Sequence, residues 1–328
     1  MKNMIGVVVI GRNEGDRLIK CLNSVMPDEN LVVYVDSASS DSSIANAIAK
    51  RVEVVELDMS IPFSAARARN EGYKRLIEIN PNIEFVQFVD GDCELVSGWL
   101  DQASIVLKNN PDTAIVCGRR RERYPSKTIY NYLCDLEWDT LVGEAKACGG
   151  DFLVKSEVFQ AVGGFNPAVI AGEEPEMCFR LRSLGWKIER IDCEMTLHDA
   201  AMTRFSQWWK RAVRGGHAYA QGKAMHGKSS ENYYVKEYYS IIFWASVIHF
   251  FTMVLAIFSS PVFLLIFFLY PLQVLKITYN ELARRKLMKD SFYIAFFSML
   301  AKFPQLIGII NFHKSRITNR KLEIIEYK

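Results

Sequence analysis

The stretch FVQFVDGDCELVSGW, residues 85–99, indicates the fold of the first two thirds of the chain. An apolar run leads into Asp90-Gly91-Asp92, and a third acid, Glu94, follows two residues later. The apolar run predicts a buried strand. Three carboxylates this close repel one another. We therefore expect a positively charged group near the end of this strand.

Further apolar runs flank this strand, and amphipathic stretches separate them. The predicted strands are 5–11, 31–37, 52–58, 84–90 and 113–119, and the predicted helices are 15–25, 39–50, 64–79 and 98–109. This alternation predicts an α/β fold with a mostly parallel sheet and helices on both faces. Such sheets bind ligands at the carboxyl ends of their strands. Asn13-Glu14, Asp36 and the acids from Asp90 to Asp92 fall at those ends.

Composition excludes several classes of protein. The chain has 328 residues and a net charge of +3, which argues against a dedicated nucleic-acid-binding protein. Its seven cysteines show no metal-ligand spacing, so we expect reduced thiols in a cytosolic setting. The apolar start is too short for a signal peptide, and none is expected.

The chain changes character near residue 235. Three apolar runs follow, at 241–258, 261–275 and 292–312. The first is long enough to span a membrane, which takes roughly 20 apolar residues, and the second is short. We therefore expect an α/β domain at 1–235 and a membrane-associated helical region with a basic cytosolic tail at 236–328. Buried core helices are the alternative interpretation.

The flanking residues suggest how the apolar runs lie. Ser259, Ser260 and Pro261 separate the first two runs and are typical of a tight reversal, so we expect a helical hairpin with both ends in the cytosol. Basic segments at 276–290 and 313–321 should stay on the cytosolic side. The third run contains Lys302 and Pro304, so it should lie in the membrane interface with a kink at the proline. The basic, aromatic stretch 204–223 fits either a nucleic-acid site or an amphipathic helix on the membrane surface.

The Asp-Gly-Asp triplet is typical of a site for a hard divalent cation. Such cations prefer oxygen ligands, and Mg²⁺ usually shares its shell with substrate phosphates. Taken alone, the triplet fits a solvated turn equally well. A second acidic group, Glu173-Glu174, opens a predicted helix in GEEPEMCFRLRSLGWKI, residues 172–188.

Five motifs occur in an order that resembles family-2 glycosyltransferases. They are VVVIGRNEGDRLIKCLNSV, VYVDSASSDSS, ARNEG, FVDGDCEL and GGDFLVKSEVFQAVGGFNPAVIAGEEPEMCFRLRSLGW. The resemblance covers about residues 1–220. It implies an inverting enzyme with the GT-A fold.

The resemblance also implies roles for individual residues. Asp36 matches the acid that contacts the nucleotide base or ribose, and Arg69 matches an arginine near the base and diphosphate. Asp90 and Asp92 match the family's Asp-x-Asp pair, in which Asp92 is the direct metal ligand. Glu14 is expected near the nucleotide pocket.

Two further positions follow from the same comparison. His198 matches a histidine that completes the metal site in several members, and a core histidine is the equal alternative. The family's catalytic base is an Asp preceded by Glu, whereas this chain has Glu173-Glu174. Glu174 occupies the base position with a side chain one methylene longer, which leaves open which of the two glutamates acts.

Together these features predict a membrane-attached hexosyltransferase. It would move one sugar from a nucleotide-sugar donor, expected to be a UDP-sugar, to a lipid-linked glycan or polysaccharide-precursor acceptor. It would use Mn or Mg and face the cytoplasm from the inner or plasma membrane. The alternatives are a non-catalytic scaffold of a membrane polysaccharide-assembly complex and a sugar nucleotidyltransferase. QWWKR differs in order from the Gln-x-x-Arg-Trp of processive synthases, so polymerisation is not supported.

Overall fold

The computed structural model describes residues 4–26, 30–285 and 287–318. Contacts divide the chain into two compact units, Met1–Ser126 with Trp138–Ala201 and Lys127–Glu137 with Met202–Lys328. The boundary expected at residue 235 falls inside the second unit. The amino-acid composition changes near residue 235, but the boundary between the two units lies after Ala201. The reason is that the helix that begins at Phe205 packs with the C-terminal helices.

A mixed sheet forms the centre of the first unit. Its strands are β1 Ile5–Gly11, β2 Leu31–Asp36, β3 Glu53–Glu56, β4 Phe85–Asp90, β5 Cys93–Leu95, β6 Thr113–Glu122, β7 Gly143–Ala145, β8 Phe152–Lys155 and β9 Lys187–His198. The order is β3-β2-β1-β4-β8-β6-β9-β5, and β7 pairs with β9. The first four strands are parallel, as expected from the sequence. Beyond β4, antiparallel pairs involving β8, β5 and β7 make the sheet mixed.

Helices of the first unit follow the strands as the alternation predicts. They are α1 Asp16–Val25, α2 Ser43–Ala49, α3 Ala65–Ile79, α4 Trp99–Asn109, α6 Ser156–Ala161 and α7 Glu173–Ser183, while α5 Ile129–Trp138 belongs to the second unit except for Trp138. The five strands and four helices predicted from the sequence are all present, with ends shifted by a few residues.

The parallel strands are apolar because the sheet is covered on both faces. Val8 of β1 aligns with Val33 of β2 and with Phe88 of β4, and all three side chains are fully buried. This row fixes the register of the three strands. Consequently Asp36 pairs with Gly11, and Asp90 pairs with Ile10, at one edge of the sheet.

Gly72 lets α3 pack closely on this sheet. A Cβ atom at Gly72 would lie 2.4 Å from a methyl carbon of Val8 and 2.9 Å from one of Val35. A larger residue would therefore push α3 away from β1 and β2. Arg69 lies about one turn before Gly72, so this close packing places its side chain at the carboxyl edge of the sheet.

The second unit is helical. It contains α8 Phe205–His226, α9 Val235–Ile242, a π-helical turn Phe243–Val247, α10 Ile248–Phe258, a 3-10 helix Pro261–Phe268, α11 Leu269–Arg285, α12 Met288–Leu300 and α13 Lys302–Thr318. Among the described residues, three helical segments are long and apolar enough to cross a membrane: Val235–Phe258, Pro261–Arg285 and Met288–Thr318.

The first two of these segments pack side by side as a hairpin. Ser260 caps the second arm by accepting a hydrogen bond from the Val262 amide. The Tyr270 hydroxyl donates to the Trp244 carbonyl oxygen, and the two rings lie 5.3 Å apart. In the third segment the break between α12 and α13 falls at Ala301, since the ring of Pro304 would clash with the carbonyl four residues earlier in an unbroken helix.

Candidate functional site

The three acids at the end of β4 and just beyond it contact different basic side chains. Asp90 contacts two arginines, described below. Asp92 lies 3.2 Å from Nε2 of His198. Glu94 forms an ion pair with Arg123. The positive groups expected near this strand end are therefore present as the arginines that contact Asp90 and Glu94.

Asp90 lies between the buried guanidinium group of Arg69 and the partly buried one of Arg120. Its Oδ1 is 2.9 Å from Nη2 of Arg69, and its Oδ2 is 3.1 Å from Nη2 of Arg120. Neighbouring carboxylates outweigh burial and raise the pKa of both arginines. Both guanidinium groups therefore stay charged, and Asp90 is held as their shared counter-ion.

Arg69 also holds the acidic pair at the start of α7. Its Nη1 lies 3.0 Å from Oε1 of Glu173 and 2.9 Å from Oε1 of Glu174. Gly172 precedes them in a left-handed conformation, with φ of 78°, which glycine adopts readily. The structure thus brings both candidate base residues to the end of β4.

The two glutamates crowd each other. Burial, followed by the charge of Glu173, raises the pKa of Glu174 from 4.5 to about 7, although Arg69 acts in the opposite direction. A carboxyl group with a pKa near 7 can accept a proton and release it again at neutral pH. Perturbed carboxyl groups of this kind are common at catalytic sites.

Arg120 and Asp151 complete the site, and neither was predicted from the sequence. Asp151 is fully buried, and its Oδ2 accepts from Nε of Arg120 at 2.7 Å and from the Thr196 hydroxyl at 2.7 Å. Its Oδ1 accepts from the Asp90 amide at 3.1 Å. The available signal was the run of three arginines in GRRRER, in which strand alternation separates Arg120 from its neighbours.

Gly149 and Gly150 open the motif that begins GGDFLVK, and the structure explains the second of these glycines. A Cβ atom there would lie 2.6 Å from Nη2 of Arg69 and 2.7 Å from Oδ2 of Asp90. The backbone at residue 150 thus passes directly over the ion pair and excludes a side chain. Asp151 follows immediately, so the same turn places the buried carboxylate.

His198 ends β9 beside Asp92 and stays neutral. Burial, helped by the charge of Arg120, lowers the pKa of His198 to about 4. The Trp138 ring lies 4.6 Å from the imidazole, and Nδ1 is buried without a hydrogen-bond partner in the described part of the chain. A neutral imidazole keeps a lone pair on one ring nitrogen, and that nitrogen can bind a metal ion.

These residues fit a divalent cation. Asp92, His198 and Cys93 offer ligand atoms that all lie within 4.8 Å of one another. Burial raises the pKa of the Cys93 thiol, so it stays protonated and is a poor ligand for a hard cation. Asp92 and His198 are therefore the side chains that could hold the ion. Asp90, Cys93 and Asp151 form a second group of this kind, in which arginines already contact Asp90 and Asp151. The role of Asp90 as a metal ligand, which the resemblance implies, stays a prediction.

The remaining predicted residues lie along the same edge of the sheet. Asp36 ends β2, where its carboxylate accepts from the Tyr34 hydroxyl at 2.8 Å and from the Ser39 amide at 2.7 Å. Glu14 follows β1 and pairs with Arg17 at 2.7 Å. Its Cγ would lie 3.2 Å from a Cβ atom at Gly91, so Glu14 packs beside the Asp-Gly-Asp turn.

Comparison with known proteins identifies the fold. No protein-family model and no curated protein sequence matches the chain. Among solved structures, the mannosyltransferase PcManGT from Pyrobaculum calidifontis, in complex with GDP-Man and Mn²⁺, aligns with a TM-score of 0.62 and 16% identity over 94% of this chain and 88% of that one. TarS 1-349 from S. aureus aligns with a TM-score of 0.52 and 13% identity over 99% and 95%. The chain has the fold of GT-A glycosyltransferases, as expected, followed by apolar C-terminal helices.

Proposed function

We propose that this protein is an inverting glycosyltransferase that depends on a divalent cation. One observation carries the proposal. A carboxyl group with a pKa of about 7, on Glu174, lies at the same strand end as a buried Asp92–His198 pair that fits a cation. The first can act as a base, and the second can bind the cation of a metal–diphosphate complex.

In the proposed reaction, the base lies on one face of the sugar and the leaving diphosphate lies on the other. Glu174 accepts the proton of the acceptor hydroxyl as that oxygen attacks the anomeric carbon. Arg69 orients this carboxylate through its 2.9 Å contact. Attack from the face opposite the leaving group inverts the anomeric centre. A bound divalent cation would stabilise the negative charge that gathers on the departing diphosphate.

Substrate binding is assigned to the carboxyl edge of β1 and β2. Asp36, held by Tyr34, would accept hydrogen bonds from the base or ribose of a nucleoside-diphosphate sugar. Glu14 would border that pocket. A UDP-sugar is the proposed donor. GDP-Man in the PcManGT complex makes GDP-sugars the necessary comparison.

The acceptor is proposed to be a lipid-linked glycan or polysaccharide precursor at the cytoplasmic face of the membrane. Three helices in the described part of the chain are long and apolar enough to cross a bilayer, and they support this assignment. In sealed, right-side-out vesicles, a tag at residue 328 should be protected from added protease. It should be cleaved only after the vesicles are lysed. Cleavage without lysis would place the C-terminus outside and overturn the proposed orientation.

A donor panel tests the catalytic proposal. The detergent-solubilised full chain is given UDP- and GDP-sugars with Mn²⁺, with Mg²⁺ or with EDTA, and the anomeric configuration of the product is read by NMR. We expect one nucleotide class to be consumed, only with metal, and with inversion. Turnover in EDTA, or retention of configuration, would refute the mechanism. Failure to consume any donor would favour a non-catalytic scaffold, and release of pyrophosphate from a sugar phosphate and a nucleoside triphosphate would indicate a nucleotidyltransferase.

A further inference from the structure

A groove opens in the second unit between the start of the first candidate span and α13. Its volume is about 590 Å³, within the range of small-molecule sites, roughly 300–1,000 Å³. Most of its wall is aliphatic, from Ile242, Leu306, Ile309, Ile310 and Ile317. Such a wall offers dispersion contacts to a hydrocarbon chain and no hydrogen bonds.

Basic side chains border the groove. His313 and Lys314 line it. Nε2 of His313 is 2.9 Å from the Tyr238 hydroxyl, and Nζ of Lys223 lies 4.2 Å from the centroid of the Tyr238 ring. Across the described segments of the chain, neither lysine forms an ion pair with a carboxylate. Two lysines are therefore available to an anion that lies beside the groove.

The packing of α13 places this groove at the membrane surface. A Cβ atom at Gly308 would lie 2.0 Å from the Val213 carbonyl oxygen, so α13 touches the backbone of α8. In this part of its length α8 carries Lys210, Arg211 and Arg214, which are costly to place in hydrocarbon. On the face of α13 opposite Gly308, Ile310 and Ile317 are exposed. A helix with charged neighbours on one side and bare aliphatic residues on the other lies in the plane of the interface.

We propose that this groove binds one acyl chain of an anionic bilayer phospholipid, with the lipid phosphate beside Lys223 and Lys314. The aliphatic wall matches the chain, and the basic border matches the phosphate. Tyr238 and Tyr239 stand at the same border, where aromatic residues are enriched in membrane proteins. The proposal is independent of glycosyl transfer, and its test does not use activity.

Native mass spectrometry of the full chain in mild detergent tests this inference. The protein is titrated with phosphatidylglycerol or with phosphatidylcholine of the same acyl chains. We expect one retained phosphatidylglycerol and weaker retention of phosphatidylcholine. Lys314→Gln should weaken the binding of phosphatidylglycerol about fivefold, the usual effect of one lysine near an anionic lipid surface. The binding of phosphatidylcholine should stay unchanged. Lys276→Gln is the matched control, because it removes an exposed lysine from α11. It should change the retention of neither lipid.

A second variant tests the groove itself. Ser246 is exposed on the groove wall, so Ser246→Phe should fill the groove without disturbing the core and lower the retention of both lipids. Equal retention of the two lipids, or unchanged retention by Lys314→Gln, would overturn the proposal. Competition by glycerol phosphate as strong as by the whole lipid would reduce the site to a phosphate contact and would also overturn it. A dimer that Ser246→Phe dissociates would show that a second copy fills the groove instead.

Discussion

Glu174→Gln should stabilise the protein at high pH and slow glycosyl transfer. The folded protein raises the pKa of Glu174 from 4.5 to about 7, chiefly by burial. A carboxyl group with a raised pKa favours folding fully below its unfolded value, and this contribution is lost as the pH rises through the folded value. Between these two values the loss amounts to about 3 kcal/mol. Glutamine keeps the shape of the protonated acid and never ionises, so the variant avoids this loss.

Urea unfolding of the detergent-solubilised chain, followed by circular dichroism, measures the stability effect. At pH 5 the two proteins should have similar midpoints, since Glu174 is protonated in the folded state. At pH 8 the variant should be more stable, by up to about 3 kcal/mol. Transfer should fall by roughly 10²–10⁴, the usual contribution of a general base, while donor affinity persists. The wild-type rate should rise with pH through about 7 and then level off.

Glu173→Gln is the matched control at the neighbouring position. It removes a charge that raises the pKa of Glu174, so the pH profile of turnover should move to lower pH with a smaller loss of rate. The reasoning fails if Glu174→Gln is less stable than wild type at pH 8 and still turns over. Glu174 would then be an ionised structural partner of Arg69. Exchanged behaviour of the two variants would move the base to Glu173.

Three further substitutions test other parts of the site. Asp92→Asn should abolish cation-dependent donor binding in calorimetry with Mn²⁺ and lower the rate by roughly 10²–10³, and wild-type activity in EDTA-treated buffer would contradict the metal role. Asp151→Asn should destabilise the fold by roughly 3–5 kcal/mol in urea, because Arg120 loses a fully buried partner, and an unchanged midpoint would contradict this. Tyr34→Phe should weaken donor binding in calorimetry by up to about tenfold, because it removes the hydrogen bond that holds Asp36, whereas unchanged affinity would separate Asp36 from the donor.

The sequence predicts the parallel half of the sheet because local runs of apolar residues mark each of its strands. β1, β2 and β4 are mainly apolar, and β2 and β4 end in the aspartates that reach the site. Asp36 and Asp90 therefore fall at one edge by topology alone. The short antiparallel strands β5 and β7 carry too few residues to show a period, and their pairing with β9 depends on distant contacts.

The partners within the site are the part that local pattern cannot supply. Arg120 and Asp151 are 31 residues apart, on a strand and in a turn, and only the folded sheet brings them together. The same holds for Arg69 and Glu173, which are 104 residues apart. The sequence showed an excess of acid at the end of β4 but could not show that arginines already satisfy Asp90. The role of Asp90 as a shared counter-ion is thus visible only in the structure.

This role of Asp90 links the two halves of the proposed mechanism. The charge of Asp90 is one of the causes that raise the pKa of Glu174, and Arg120, the other partner of Asp90, helps to keep His198 neutral. A cation held by Asp92 and His198 would add positive charge beside the same network and would lower the pKa of Glu174. Because such coupling is reciprocal, ionisation of Glu174 would in turn favour the cation. The base would then be ionised most readily when the metal-bound donor is in place, which ties removal of the acceptor proton to the presence of the leaving group.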